Sequence, residues 1–229
     1  MKKVLITQSN YIPWKGFFDA LRQADEFIAY DDAQYTKRDW RNRNRIKTTN
    51  GPIWLSIPVK VKGKFNQKIN ETVISDNQWK HKHWKSLEYN YRKSTYFSEY
   101  GPLIKHFYDS APSSNLSETN YHFTKSICEL LKIETQFSFS SEYELVQGKN
   151  ERLLEICKQA NADVYLSGPS AKNYLDEDMF AKSNIRIEYL DYGSYPEYPQ
   201  LFPPFIHEVS ILDLIFNTGP DALKYMKPK

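Results

Sequence analysis

Apolar positions along this chain change period several times, and each change marks an element. Residues 3–7 (KVLIT) form a short apolar run that reads as a buried strand. After the loop QSNYIPWKG, Phe17, Phe18, Leu21 and Ala24 recur at helical spacing and predict one buried helix face. Residues 26–30 (EFIAY) are a second apolar run, ending in Asp31-Asp32. Strand, Pro-containing loop, helix and strand make a βαβ unit, with the two strands parallel and the crossover right-handed.

The pattern then turns to alternation. Residues 53–59 (IWLSIPV) read as a strand after the turn signal Asn50-Gly51-Pro52. Two further strands flanking a basic loop are predicted within 60–75. From Asp76 to about Arg92 the period is helical, with Trp79, His83, Leu87 and Tyr91 on one stripe. Residues 102–109 and 118–132 are helical too, the latter preceded by the capping candidates Asn115 and Ser117. Strands at 135–140, 163–167 and 185–192 alternate with an amphipathic helix at 150–162 and a Gly168-Pro169-Ser170 turn opening a helix or half-helix. The Tyr- and Pro-rich stretch 192–205 reads as an ordered extended loop, and SILDLIFNTGPDALKYM as a helix, a Gly-Pro break and a short helix. The fold class implied is α/β: a Rossmann-like, mostly parallel sheet with flanking helices, one domain over 1–229, and a helical insertion at 76–132.

Composition narrows the class. The 229 residues include 17 Tyr, 13 Phe and 5 Trp, an aromatic content that argues for a packed core and against disorder. No internal repeat or low-complexity tract occurs. Cys128 and Cys157 sit among apolar neighbours in helical segments, which suits reduced core thiols in a cytoplasmic protein. The N-terminus is too short in apolar residues for a secretory signal, and no run approaches the ~18 residues of a membrane span.

Net charge is only +3, too little for a general polyanion binder, yet six cations crowd into QYTKRDWRNRNRIK (34–47) beside a single acid. In an extended strand Arg41, Arg43 and Arg45 would point one way and Asn42 and Asn44 the other. Three guanidiniums on one side, with Lys37 and Arg38 nearby, would make a receptor for a diphosphate or carboxylate. Asp31, Asp32 and Asp39 would fix those arginines or contact sugar hydroxyls or an amine; a solvated loop of paired charges is the competing reading. Asp31-Asp32 follows a strand, where α/β folds place ligands. On the same edge Gln8, Asn10 and Tyr11 follow the first strand, and Ser167-Gly168-Pro169-Ser170, with Lys172, follows another and could cradle a phosphate. His81 and His83 stand two apart and diverge on a helix, so no shared metal is implied; His83 reads as a core histidine or a general base. No H-E-x-x-H, C-x-x-C, G-x-S-x-G or Walker A motif occurs.

Ile12-Pro13-Trp14-Lys15-Gly16-Phe17 resembles the P-x-H-x-G-H loop of nucleotidyltransferases, with Trp14 and Phe17 where histidines would stand. That supports a Rossmann-like fold and argues against ordinary adenylyl transfer there, unless Lys15 substitutes. A closer resemblance runs from QSNYIPWKGFFDALRQADEFIAYDDAQYTKRDWRNRNRIKTTNGPIWLSIPV through DVYLSGPSAKNYLD to HEVSILDLIFNTGPDAL. These stretches are similar to the WbqC-like protein family and cover essentially the whole chain. Where the family pattern has Tyr-Leu or similar before the last segment, this chain has His207-Glu208-Val209, a departure expected to touch a pocket rim. Membership implies an intracellular bacterial protein tied to surface-polysaccharide (O-antigen, lipopolysaccharide) synthesis, for which glycyl or other aminoacyl transfer onto an amino sugar has been suggested.

The resulting expectation is an acyl- or aminoacyl-transferase acting on a nucleotide-linked amino sugar. The arginine cluster would hold the diphosphate, with Asp31, Asp32, Gln8, Asn10 and Tyr35 on the sugar and an aspartate or His83 as base. Tyr11, Trp14, Lys15 and Trp40 complete the candidate binding set. ATP, an acyl thioester or an aminoacyl-tRNA all fit as donor, and a homo-oligomer is compatible. Two other classes stay open: an RNA-binding protein, from Arg interleaved with Tyr35 and Trp40, and a non-catalytic scaffold whose interface is 192–205.

Overall fold

The computed structural model describes residues 1–228. Its centre is a five-stranded, all-parallel sheet of β1 (Lys3–Thr7), β2 (Glu26–Ala29), β5 (Gln136–Phe139), β6 (Val164–Ser167) and β7 (Arg186–Tyr189). The spatial order is β5-β2-β1-β6-β7. From β1 the chain winds outward through β2 to β5, then returns to the other side of β1 for β6 and β7. The strand order therefore reverses between β1 and β6, the switch point of a doubly wound fold.

The strands are short and apolar because both faces are covered. Leu5, Phe27 and Ala29 face a layer that includes helix α1 (Lys15–Gln23), α4 (Leu116–Leu130) and α7 (Ile211–Thr218). Val4, Ile6 and Ile28 face the opposite layer, with α5 (Lys149–Gln159) and Phe180 of α6 (Glu177–Ala181). The alternation is the period-2 geometry of a strand read out against two cores. Helix α1 buries Phe17, Phe18 and Leu21, the stripe its spacing predicts. The Trp79-His83-Leu87-Tyr91 stripe of α2 (Gln78–Tyr91) is likewise buried, followed by α3 (Phe97–Ser110). Asn115 caps α4 by accepting from the Glu118 N–H.

Two local expectations need correction. Strand β4 is Gly51–Ser56 and pairs antiparallel only with β3 (Arg43–Thr48), as a hairpin separate from the main sheet. Residues 60–75 hold no strands but a 3-10 turn at Ile69–Glu71 and single bridges, because their backbone groups pair outward with Asp31, Ala33 and Ser114. After β6 the expected half-helix is a five-residue 3-10 helix, Pro169–Asn173, opened by Pro169 and ending at Tyr174.

The loop at 190–210 contains no helix or strand, yet it is pinned from below by buried charge. Asp213, 1% exposed, accepts from the hydroxyls of Tyr91 and Tyr198, both at 2.8 Å, and from the Gln200 amide at 2.9 Å. Lys47 Nζ donates to Gln200 and to the Pro204 carbonyl. Lys15, 2% exposed, donates to the Pro196 carbonyl at 2.7 Å and lies over the rings of Tyr195 and Tyr198. Burial holds the Lys15 ammonium down to about 8, against the pull of Asp19 and Glu197. Both cysteines are free and buried, and among the described residues no helix is long and apolar enough to cross a membrane.

Replacing Asp213 by Ala leaves two buried tyrosine hydroxyls and Lys47 without their acceptor or counter-charge. The expected loss is about 3 kcal/mol in chemical denaturation, with limited proteolysis opening first within 192–207.

Candidate functional site

The loop after β1 is the first element of the site. Tyr11 and Ile12 are fully buried, and Ile12 takes φ 35°, a region a β-branched residue rarely enters. What holds it is Asn44 on the hairpin: its Nδ2 donates to the Tyr11 carbonyl at 3.0 Å and the Ile12 carbonyl at 2.9 Å, while its Oδ1 accepts from Arg45 N–H at 2.8 Å. The Tyr11 N–H donates to the Trp40 carbonyl. The loop is thereby clamped to the arginine-rich segment. One turn on, Gly16 lies so close beneath Trp14 that a Cβ there would meet the indole at 2.3 Å, which sets the ring's position.

Around this loop lies a cavity of about 200 Å³ lined by Asn10, Pro13, Trp14, Trp40, Asn44 and Glu208. A second, of about 220 Å³, is lined by Trp14, Tyr192, Ser194, Tyr195, His207 and Glu208. The two adjoin at Trp14 and Glu208, which line both, and together make the candidate cleft. Each alone is smaller than the roughly 300 Å³ at which ligand pockets begin. Aromatic walls with a few polar groups suit a ring-bearing polar ligand. Asn10 accepts from Arg41 through Oδ1, which leaves its amide N–H groups free among the described residues. Arg41 Nε and His207 Nδ1 are buried and lack hydrogen-bond partners.

The three arginines do not converge. Only Arg43 and Arg45 fall within β3 and share its outer face; Arg41 precedes the strand, so the alternation does not reach it. Arg41 turns to Asn10 and, at 3.8 Å, Asp39; Arg43 donates to the Arg38 carbonyl and stacks 4.0 Å from the Trp54 ring; Arg45 donates to the Glu208 carbonyl at 3.0 Å. Asp39 accepts from Thr36 and from the Trp40 N–H, and Asn42 donates to the Ile57 carbonyl. Lys37 and Arg38 are exposed; Tyr35 is buried.

Asp31 is 1% exposed and accepts from the Ser9 N–H at 2.9 Å and the Ser117 hydroxyl. Burial raises its carboxyl above the ordinary value, against the opposing hydrogen bonds from Ser117 and Ser9 and the charge of Arg41. It joins the β1 loop to the start of α4. Asp32 accepts from Ser140 at 2.7 Å, Asn70 at 3.3 Å and Lys68 at 3.2 Å, on the β5 side of the sheet. Neither aspartate lines the cleft. Gln8 is half-buried at the end of β1 and Ser167 buried at the end of β6, so both stand at the switch point; Gly168 packs near Tyr192, and Ser170 is exposed.

His83 lies in an aromatic cluster away from the cleft. Its Nδ1 is 2.8 Å from the Tyr11 hydroxyl, which is itself 2.7 Å from that of Tyr108, and Trp79 packs edge-on against it. Burial holds its imidazole down to about 4, against a hydrogen bond with the Ser56 backbone. Glu208, Asn44, Pro13 and Tyr192 are cleft residues that the reading of local motifs did not single out as site residues. The one signal for Glu208 is the departure at 207–209. Among the described residues no three His, Cys, Asp or Glu come together as a metal site.

Comparison with known proteins places the chain. The model of the WbqC-like protein family matches residues 8–225, which span the β1 loop, the hairpin and both cavities. The chain belongs to the WbqC-like protein family. A relative, the uncharacterized protein Rv1507c of Mycobacterium tuberculosis (strain ATCC 25618 / H37Rv), is 50% identical over 227 residues, covering 99% of this chain and 98% of the relative. No solved structure matches. The cleft of this WbqC-like chain therefore lies within the region the family defines.

His83 gives this chain a measurable acid response. Its folded-state value near 4 lies below the ordinary 6.5, so the unfolded chain binds the extra proton. Stability then falls as pH drops from about 6.5 to 4, by up to about 3 kcal/mol from this group. His83→Gln keeps a hydrogen-bonding side chain but cannot titrate there. Urea midpoints measured across that window are expected to fall less steeply in the variant than in the wild type.

Proposed function

We propose that this WbqC-like protein is an acyl- or aminoacyl-transferase that forms an amide on a nucleotide-linked amino sugar of bacterial surface-polysaccharide synthesis. The observation that carries the reading is the cleft built on the loop after β1, one strand of the switch-point pair, where Trp14, Trp40, Asn10 and Glu208 line one cavity. Switch points of doubly wound sheets are where nucleotide ligands dock. Indole faces pack against sugar or base rings, and a free amide offers hydroxyl-directed hydrogen bonds. Arg41, held against Asn10, adds a cation for phosphate. The paired cavities have room for two reactant portions on either side of Glu208.

In this reading the uncharged sugar amine attacks the acyl carbonyl carbon. A C–N bond forms, the bond from that carbon to the donor's oxygen or sulfur breaks, and one amine proton passes to the leaving group. Glu208 faces both cavities and stands 3.8 Å from Arg45, so it is the carboxylate placed to carry that proton. Asp31 and Asp32 are saturated by protein donors and hold the frame. His83, buried behind Tyr11, supports the loop.

The test combines calorimetry with a panel of nucleotide-linked amino sugars and mass spectrometry of reactions with ATP plus an amino acid, an acyl thioester or an aminoacyl-tRNA. Binding of an amino sugar and a mass gain with one donor are expected. Trp40→Ala should weaken binding about tenfold, and Glu208→Gln should leave binding within about threefold while slowing turnover at least about a hundredfold. Absence of both binding and mass gain across the panel overturns the reading.

A further inference from the structure

Charge is segregated along this chain. Residues 34–68 contain ten Lys and Arg against the single acid Asp39, a net +9. The other 194 residues hold 21 Lys and Arg against 27 acids, a net −6. Segment 34–68 is also one spatial lobe: the bridge between Gln34 and Lys68 closes its two ends, and the β3–β4 hairpin is its body. A fold with no use for this field would intermix the signs, since segregated like charges repel.

The lobe exposes aromatic rings among its cations. Trp40 is 38%, Trp54 43% and Phe65 73% exposed. Trp40 and Trp54 have centroids 5.2 Å apart, Arg43 lies 4.0 Å over Trp54, and Arg45 lies within 6 Å of both indoles. Lys37 lies over the Phe65 ring. Lys37, Arg38, Arg43, Lys60, Lys62 and Lys64 make no ion pair within 4 Å among the described residues. Flat rings interleaved with guanidinium planes, bordered by unpaired lysines, are the two halves of single-strand recognition: stacking for bases and cations for the phosphates between them.

We infer that the 34–68 lobe binds a single-stranded nucleic acid, its bases stacked along Trp40, Trp54 and Phe65 and its phosphates met by Arg43, Lys37, Lys62 and Lys64. Trp40 continues the stack to the mouth of the cleft, because the same ring lines the 200 Å³ cavity. A strand lying on the lobe therefore delivers one end to Asn10 and Glu208. An anionic membrane would also meet this charge and the exposed Phe65, but Trp54 is half-covered by Arg43, and Trp40 leads inward to a cavity whose lining includes Asn10, Asn44 and Glu208. The inference does not depend on transfer to a sugar, and nucleotide-sugar calorimetry tests that reading separately.

The experiment is fluorescence anisotropy of labelled single-stranded RNA and DNA 12-mers of one sequence with the full-length protein, beside flotation with phosphatidylglycerol-containing vesicles. Binding is expected to fall about ten- to a hundredfold between about 50 and about 200 mM salt, the response of three to five neutralised phosphates. Trp54→Ala should weaken it at least about fivefold. The pair Lys62→Glu with Lys64→Glu should weaken it and flatten the salt slope. Both positions are exposed, so melting curves should match the wild type. A stronger RNA than DNA signal assigns the 2′-hydroxyl a contact, and equal signals assign stacking and phosphate alone. No anisotropy change up to about 100 µM at low salt, binding unaltered in folded Trp54→Ala, or attachment to vesicles without oligonucleotide binding overturns the inference.

Discussion

One amide side chain holds the site together. Asn44 spends both of its amide hydrogens on the carbonyls of Tyr11 and Ile12 and its oxygen on the next backbone N–H, so the strained turn after β1 has no freedom to relax. A buried non-glycine residue at φ 35° costs free energy that only surrounding structure can offset. Here the offset comes from the hairpin, which reaches the turn only because β3 packs across it. The positions of Asn10, Pro13 and Trp14 follow. Without that clamp the aromatic wall of the cleft would have no defined place.

Buried charge performs a second, supporting task. Asp31 ties Ser9 to Ser117, and Asp213 ties Tyr91, Tyr198 and Gln200 together. Both carboxyls are raised by burial and stabilised by donated hydrogen bonds, the condition under which a buried acid is tolerated. Lys15 and Lys47 meet carbonyls and rings of the 190–210 loop in the same way. The irregular segment 190–210 is thereby tied to the core at several points. The cleft's second wall, Tyr192 and Tyr195, is part of it.

Chemistry at the cleft is set by what these networks leave over. Residues saturated by protein partners, among them Asp31, Asp32 and Asn44, shape the frame. Those with unspent capacity include Asn10, Glu208 and His207, which line the two cavities, and Arg41, whose Nε is buried without a partner. The match to the WbqC-like family model covers this whole region.

By itself the sequence determined the parallel strands of the main sheet, the main helices with their buried stripes, and the edge on which the loops gather. Those depend on local period, carried by near neighbours within each element, such as Val4 with Leu5, Phe17 with Leu21, and His83 with Leu87. The candidate cleft was legible only in outline: Asn10, Trp14 and Trp40 line it, Arg41 reaches it only through Asn10, Asp31 and His83 turn inward, and Glu208 arrives from the far end of the chain. Two strands at 60–75 were also misread, because the backbone there pairs with distant segments. The tertiary structure alone decided which charges are spent on protein and which remain free. That choice turns on partners such as Arg41 with Asn10, 31 residues apart, and Arg45 with Glu208, 163 apart. No periodicity encodes a distance that only packing can close.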